Sequence, residues 1–139
     1  ENNIKNILFI RCDYLSLPFK KNSLPCVTCI DVLERGREHD SLLLCQLSNS
    51  TMNDGILITD YHSKERTKLN RASDWDRRYS KSEIVKTLQD NDQKNLHFYG
   101  MGHSPKAGTV SPSKYEKIEP IFKLILPPAR WLVVSHKSE

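Results

Sequence analysis

The sequence predicts an α/β fold built on a parallel sheet. Two short apolar runs, at 27–30 and 56–59, have the length and β-branched content of strands that are buried on both faces. Between them, the segment 37–48 is predicted to be a helix because leucines recur at helical spacing: Leu42, Leu43, Leu44 and Leu47. A strand, a helix and a strand at this spacing indicate a parallel α/β sheet.

The first half of the chain carries one more strand signal and two turn signals. The apolar run 7–10 predicts another strand buried on both faces, ended by Arg11-Cys12-Asp13. Polar residues at 20–23 predict a surface turn. Because Asn53-Asp54-Gly55 has strong turn composition, a turn is expected directly before the strand at 56–59.

The second half predicts a capped helix and two strands. Ser80-Lys81-Ser82-Glu83 has the Ser-x-x-Glu form of a capping box, and the apolar face that follows continues the helix to about Gln89. Short apolar runs at 96–99 and 131–135 predict strands.

Three segments between these elements have weaker patterns. Residues 62–79 are polar without a clear period, so a loop or an exposed helical insertion is expected. The segment 100–112 contains glycines and prolines and predicts a loop. Apolar residues recur at helical spacing through 115–125, where Pro120 kinks the helix or opens a new first turn.

The composition indicates one domain over residues 1–139 and argues against two classes of function. The formal charge of +4 comes from basic residues interleaved with acidic ones, as in Lys64-Glu65-Arg66, so nucleic acid is not an expected partner. No apolar run approaches the ~20 residues that span a bilayer, and the first residues lack a signal-peptide pattern. We expect a soluble protein of the cytoplasm, or of an organelle interior after processing.

The cysteines do not predict a metal or redox site. Cys26 and Cys29 form a CxxC, but no second CxxC or HxxxH follows it. Positions three apart on a strand point to opposite faces, so the two thiols would diverge. We interpret both as small buried hydrophobic residues.

The order of features from Arg11 to Tyr61 resembles the middle of class I S-adenosylmethionine-dependent methyltransferases, of the small-molecule and quinone-type branch. A strand end with an acidic residue is followed by Leu17-Pro18-Phe19, a strand, Asp31-Val32-Leu33-Glu34, a helix and a strand that ends at Asp60. The resemblance implies a truncated Rossmann-like methyltransferase sheet, mostly parallel with an antiparallel C-terminal strand.

The resemblance also implies candidate cofactor-binding residues. By position, Asp13 would accept a hydrogen bond from the adenine amino group, and the backbone amide of Tyr14 would reach a ring nitrogen. Asp31, Val32 and Glu34 would form the pocket wall near the sulfonium. Two alternatives stay open: Asp13 caps a turn, and Asp31 and Glu34 start the next helix, where carboxylates suit the helix dipole.

The sequence departs from the family pattern in two places. Leu24-Pro25 stands where the family has Phe-Asp, and the loss of a backbone donor leads us to expect disturbed strand pairing there. The Gly-rich first turn and the acidic residue that would hold the methionine and ribose have no counterpart. We therefore expect a domain that lacks its N-terminal cofactor-binding part and that contacts S-adenosylmethionine at the adenine end only.

Two functions follow from the resemblance, and a plain α/β domain is a third alternative. The first is methyl transfer from S-adenosylmethionine to a small-molecule or lipid-like acceptor, with no identifiable catalytic base. The second is a noncatalytic binding or assembly module that has lost cofactor binding. Either would need a protein partner or second chain to cover exposed sheet edges. Asp60 would lie near the acceptor or be a solvated strand end, and Trp75 and Tyr79 would cover the acceptor or pack onto the sheet.

Overall fold

The computed structural model describes residues 8–33, 39–66, 78–102 and 126–138, together with Pro120 and Lys123. Its elements are β1 (Leu24–Cys29), α1 (Asp40–Ser50), β2 (Thr51–His62), a 3-10 turn (Lys64–Arg66), α2 (Lys81–Gln89), β3 (Gln93–Met101) and β4 (Arg130–Lys137). The four strands predicted at 27–30, 56–59, 96–99 and 131–135 are confirmed, and each extends beyond its apolar run. Within these ranges, no helix is long and apolar enough to cross a membrane.

The four strands form one sheet in the order β1-β2-β4-β3. β1 runs parallel to β2, whereas β4 runs antiparallel to both of its neighbours, β2 and β3. β3 therefore points in the same direction as β1 and β2. This confirms the predicted fold class, a mostly parallel sheet with an antiparallel C-terminal strand.

The two helices cover one face of the sheet. From β1 to β2, and again from β2 to β3, the chain moves in the same direction across the sheet. Right-handed crossovers therefore place α1 and α2 on the same side of the sheet. The hydroxyl of Ser48 on α1 donates to the carbonyl of Asn91, just beyond α2, at 2.6 Å. Alternate residues of β2 and β4 are buried, as expected for the face under the helices: Leu57, Thr59, Tyr61, Val133, Ser135 and Lys137.

The apolar core is formed mainly by leucines of α1 and by Ile84 and Leu88 of α2, against this face of the sheet. Leu43, Leu44 and Leu47 are buried, but Leu42 is 48% exposed. Consecutive helical residues point about 100° apart, so three adjacent leucines cannot all face one core. Leu42 therefore lies outside the buried face of the predicted helix.

The expectation of strands buried on both faces is also wrong for β1 and for residues 8–10. In β1 only Cys29 is buried, and the following Ile30 is 43% exposed. Residues 8–10 form no strand, and Leu8 and Phe9 are 82% and 90% exposed. Without a neighbouring strand to bond to, apolar composition alone does not hold a segment extended. Ile7 lies outside the described residues.

The predicted turn at Asn53-Asp54-Gly55 is a bulge inside β2. The pairing register moves from Leu24–Thr51 to Cys26–Ile56, so the extra residues of β2 loop out beside Pro25. Asp54 has a φ of 58° at this bulge. A Cβ on Gly55 would come 2.7 Å from the carbonyl oxygen of Met52, so this position needs glycine. The disturbed pairing expected at Leu24-Pro25 is confirmed.

The helix α2 begins with the predicted capping box. The Ser80 hydroxyl accepts from the backbone N–H of Glu83, and the Glu83 carboxylate accepts from the backbone N–H of Ser80. The Lys64 ammonium donates to the same carboxylate at 2.5 Å. The Lys64 bond and the Ser80 backbone bond lower the pKa of Glu83 to about 2.

A buried lysine ties β4 to the segment before β1 and to the junction of α1 and β2. The Lys137 ammonium donates to Asn22 Oδ1 at 2.8 Å and to the carbonyls of Ser48 and Thr51 at 2.7 and 3.0 Å. Burial lowers the pKa of Lys137, and the charge of Lys21 adds to this effect. Its three acceptors satisfy the three protons of the ammonium group, so the cation is tolerated in the interior.

Several predictions fall on residues that the structure does not describe. These are the start of the predicted helix at 37–38, the insertion at 67–77 with Trp75, and the loop at 103–112. His39 is described and is the N-cap of α1. Of the predicted helix at 115–125, only Pro120 and Lys123 are described, and both are helical.

Candidate functional site

The carboxyl edge of the sheet collects polar side chains from three strands. Asp31 follows the end of β1, and Asp60 lies near the end of β2. Because β4 is antiparallel, its first residue lies at this same edge, and Arg130 pairs with His62. Ligands of open α/β sheets generally bind at the carboxyl ends of the strands. This edge is therefore the place to look for a functional site.

Asp31, Asp60 and Arg130 form a closed ring of hydrogen bonds, which we call the Asp–Arg ring. The backbone N–H of Asp31 donates to Asp60 Oδ1 at 2.7 Å. Arg130 Nη1 donates to Asp60 Oδ2 at 2.7 Å, and its Nη2 donates to Asp31 Oδ1 at 2.9 Å. The side chain of Asp60 is 1% exposed, that of Arg130 29% and that of Asp31 52%. The ring thus runs from the buried interior to the surface.

The ring holds an unusual backbone conformation in place. Asp31 has a φ of 59°, in the left-handed region that aspartate tolerates better than most residues. The Asp31 N–H bond to the buried Asp60 carboxylate fixes this turn. Leu33 anchors the other side of the turn because its side chain is fully buried. The chain after β1 is therefore presented in one conformation at the carboxyl edge.

A second group of buried polar side chains lies behind the ring. The Tyr79 hydroxyl donates to Asp40 Oδ2, and the Tyr79 ring meets the Tyr61 ring edge-on at 5.2 Å between centroids. Burial raises the pKa of the Cys29 thiol to about 11, and the carboxylates of Asp60 and Asp40 add to the rise. Burial likewise raises the pKa of Tyr61. Both groups therefore keep their protons at neutral pH, so neither is present there as a thiolate or a phenolate.

A cleft of about 390 Å³ opens beside the ring. It is lined by His62, Arg78, Met101, Gly102, Ala129 and Arg130. Ala129 is held between the ends of two strands: its N–H donates to the Met101 carbonyl at 2.9 Å, and its carbonyl accepts from the Ser63 N–H at 2.9 Å. Arg130 belongs to both the ring and the cleft wall. The two features therefore form one site.

Asp13 and Tyr14 lie on an exposed turn before β1. Asp13 Oδ1 accepts from the Leu15 N–H at 2.9 Å, and the Asp13 carbonyl accepts from the Ser16 N–H at 3.0 Å. Asp13 thus caps a turn, as one of the two alternatives predicted. Tyr14 is 42% exposed. The contact of these residues with adenine stays a prediction.

The motif after β1 is only partly described. Asp31 is part of the ring, and Val32 is 36% exposed beside it. Glu34 lies outside the described residues. Asp31 does not start a helix, because α1 begins at Asp40. That alternative for Asp31 is wrong.

Three further outcomes concern residues that the sequence left ambiguous. Asp60 is not a solvated strand end, since it is 1% exposed and doubly bonded. Tyr79 is 4% exposed and packs onto the sheet. Of the CxxC pair, Cys29 is buried as predicted, but Cys26 is exposed, and both are free thiols. Among the described residues, no group of three or more potential ligands could hold a metal ion.

Sequence reasoning missed Arg130 and Arg78. Arg130 precedes a run of apolar residues and looks like an ordinary strand end. The sequence did predict that the last strand is antiparallel. This direction places the first residue of that strand at the carboxyl edge, so it could have indicated Arg130. Arg78 carried no signal in a polar segment without a period.

An open, mostly parallel sheet with a polar site at its carboxyl edge defines a Rossmann-like α/β protein. No protein-family model matches the sequence, and no curated protein matches it. Solved structures do match, and they identify the fold as that of class I S-adenosylmethionine-dependent methyltransferases.

Three solved structures illustrate the similarity. An S-adenosylmethionine-dependent methyltransferase from Thermotoga maritima matches with a TM-score of 0.67 at 11% identity, covering 95% of this chain and 65% of that one. A methyltransferase of the same type from Archaeoglobus fulgidus matches with a TM-score of 0.63 at 9% identity, covering 92% of this chain and 66% of that one. The (4+2)-cyclase SpnF matches with a TM-score of 0.62 at 13% identity, covering 94% and 55%.

These comparisons establish the fold and leave the activity open. In the same order, the chain spans 65%, 66% and 55% of the lengths of the three proteins. One of them is a cyclase, which illustrates that the same fold carries different chemistry.

Proposed function

We propose that this chain is part of an S-adenosylmethionine-dependent methyltransferase that acts on a small-molecule or lipid-like acceptor. The observation that carries the proposal is the Asp–Arg ring with its adjoining cleft at the carboxyl edge of a methyltransferase-type sheet. In such sheets, this edge is where ligands bind. The small-molecule acceptor is favoured by the size of the cleft, about 390 Å³, which is in the range of small-ligand sites.

The adenine end of the cofactor is assigned to Asp13 and Tyr14. Asp13 Oδ1 accepts from the Leu15 N–H and the residue is exposed, so Oδ2 would be the oxygen that accepts from the exocyclic amine. The backbone amide of Tyr14 would supply the donor for a ring nitrogen. Asp31, Val32 and Glu34 would form the wall nearer the sulfonium.

S-adenosylmethionine supplies an activated methyl group when bound, and the chain supplies position. The buried Cys29 thiol and Tyr61 phenol keep their protons, because burial raises the pKa of both. The ring fixes the turn after β1 through hydrogen bonds to Asp31. Arg130 also lines the cleft, so the same bonds fix the position of a cleft residue. Holding an acceptor in line with the methyl group is a large catalytic effect in itself.

Isothermal titration calorimetry with S-adenosylmethionine and S-adenosylhomocysteine tests the cofactor assignment. The variant Asp13→Asn keeps an oxygen for the Leu15 N–H but turns an NH₂ group toward the adenine amine. Loss of this charged acceptor weakens binding about tenfold or more. Asp90→Asn, an exposed carboxylate after α2, is the matched control and leaves binding unchanged. A folded chain that binds neither compound contradicts the proposal.

The alternative function is a noncatalytic binding or assembly module. It is favoured by the exposed apolar side chains of Leu8 and Phe9, 82% and 90% accessible, and by the outer edge of β1, which has no partner strand among the described residues. A protein partner or a second chain would cover this surface. A module would associate through this surface without binding S-adenosylmethionine. Sedimentation of the wild type and of the double variant Leu8→Ser/Phe9→Ser measures this association. Together with the calorimetry, it separates the two functions.

A further inference from the structure

Arg78 differs from Arg130 in the charges that surround it. Arg130 is bonded to the two carboxylates of Asp31 and Asp60 at 2.9 and 2.7 Å. Arg78 lines the same cleft and makes no ion pair with a described residue. The cleft therefore contains one arginine whose charge is neutralised and one whose charge is available to a ligand.

The backbone that carries Arg78 is fixed on its C-terminal side. Tyr79 pairs with the segment after β2: its N–H donates to the His62 carbonyl at 2.8 Å, and its carbonyl accepts from the Lys64 N–H at 3.0 Å. The Tyr79 hydroxyl also bonds to the buried Asp40. The backbone of Arg78 is thus held beside the end of β2, and little backbone entropy is lost when its side chain binds a ligand.

One edge of the Arg78 guanidinium, formed by the N–H groups of Nε and Nη2, makes no hydrogen bond to a described residue. Nη1 donates to the carbonyl of Ser63 at 3.5 Å, a long bond. Nε is buried and has no hydrogen-bond partner among the described residues. In any guanidinium, the N–H groups of Nε and Nη2 point from the same edge, and their spacing matches the two oxygens of a carboxylate. Because Nε is buried, a ligand reaches this edge only after the side chain of Arg78 turns it toward the cleft. A buried donor without an acceptor is costly, so a ligand that supplies an acceptor favours this turn.

We propose that this cleft binds a small ligand through a carboxylate group held by Arg78, with the apolar part of the ligand against Met101 and Ala129. The charges favour a monoanion, because the two arginines and two carboxylates among the described residues of the site have no net charge, and a phosphate dianion would be repelled by Asp31 and Asp60. That this ligand is the methyl acceptor rests on the proposed function. The binding itself does not require the cofactor.

Titration of the chain with benzoate, benzamide and phenyl phosphate, without S-adenosylmethionine, tests the proposal. The three probes share a ring and differ in the group offered to Arg78. Chemical-shift changes in a two-dimensional NMR spectrum give the affinities and place the ligand. We expect benzoate to bind about tenfold more tightly than benzamide, since a charge-assisted bond contributes about that factor. Shifts should centre on Met101, Gly102 and Ala129.

The variants Arg78→Gln and Arg78→Lys separate the bidentate contact from charge alone. Arg78→Gln should remove the preference for benzoate, and Arg78→Lys should restore only part of it. Lys86→Gln removes an exposed charge from α2 and serves as the control for net charge. Circular dichroism confirms that each variant folds.

Three results would overturn the inference: equal affinities for benzoate and benzamide, tighter binding of phenyl phosphate, or a benzoate affinity that Arg78→Gln leaves unchanged. The outcome is independent of the calorimetry with S-adenosylmethionine. A chain that binds benzoate through Arg78 and does not bind the cofactor would keep this site and remove the proposed function.

Discussion

Replacing Asp60 by asparagine should destabilise the protein far more than the same change at Asp31, although both carboxylates bond to Arg130. The carboxylate of Asp60 has two acceptor oxygens, one for the Asp31 N–H and one for Arg130 Nη1. Asparagine has one acceptor oxygen and an NH₂ group. In Asp60→Asn, one of these two donors therefore faces another donor, and the guanidinium loses its buried counter-charge.

The expected size follows from burial. Removing one partner of a fully buried ion pair costs about 3–5 kcal/mol. Arg130 is 29% exposed and keeps Asp31, so solvent offsets part of this loss, and we expect about 2–3 kcal/mol for Asp60→Asn. Asp31 is 52% exposed, and asparagine tolerates its positive φ, so Asp31→Asn should cost less than about 1 kcal/mol.

Urea unfolding followed by circular dichroism measures the difference. The two variants share the chemistry of the substitution and differ in burial, so each is the control for the other. The slope of the free energy against urea should be the same for both, since the exposed surface on unfolding does not change. Equal midpoints for Asp60→Asn and Asp31→Asn would refute the argument that the ring is anchored by a buried charge.

Three further predictions follow from the described side chains. Cys29 should resist alkylation in the folded protein until the pH approaches 11, because its pKa is raised to about 11; mass spectrometry should find the exposed Cys26 labelled first. Glu83 has its pKa lowered to about 2, so its contribution to stability is complete above its ordinary pKa of 4.5 and is lost as the pH falls toward 2. Urea midpoints at about pH 5 and pH 3 should therefore differ less for Glu83→Gln than for the wild type. Lys137→Met should cost about 2–3 kcal/mol because it leaves buried carbonyls without donors, whereas Lys86→Met, at an exposed site, should stay within about 0.5 kcal/mol.

The sequence was sufficient for the elements whose signals are local. The capping box at Ser80 and the strands at 56–59 and 131–135 depend on neighbouring residues, and the structure has them where they were predicted. Burial was harder to predict from the sequence, because it depends on which elements pack against each face of a strand. The run 8–10 has the composition of a buried strand, but it is exposed.

The candidate site was predicted only where it follows a strand in sequence. Asp31 was found because Asp31-Val32-Leu33-Glu34 resembles the family's motif after a strand, and the end of a parallel strand lies at the carboxyl edge. Arg130 is 99 residues away and reaches Asp31 through the antiparallel pairing of β4. Such a long-range contact leaves no local pattern. The roles of Asp13 and Tyr14 toward adenine stay predictions.

The position of β4 also governs the order in which the sheet can form. β4 follows β2 and β3 in the chain but lies between them, and those two strands share no hydrogen bonds with each other. During synthesis, β3 must therefore wait without a partner until residues 130–137 leave the ribosome. The edges of β2 and β3 stay open for that time, and such open edges invite pairing with other chains. Folding of this sheet should accordingly be slow and finish only after β4 is synthesised, because its defining contacts join distant parts of the sequence.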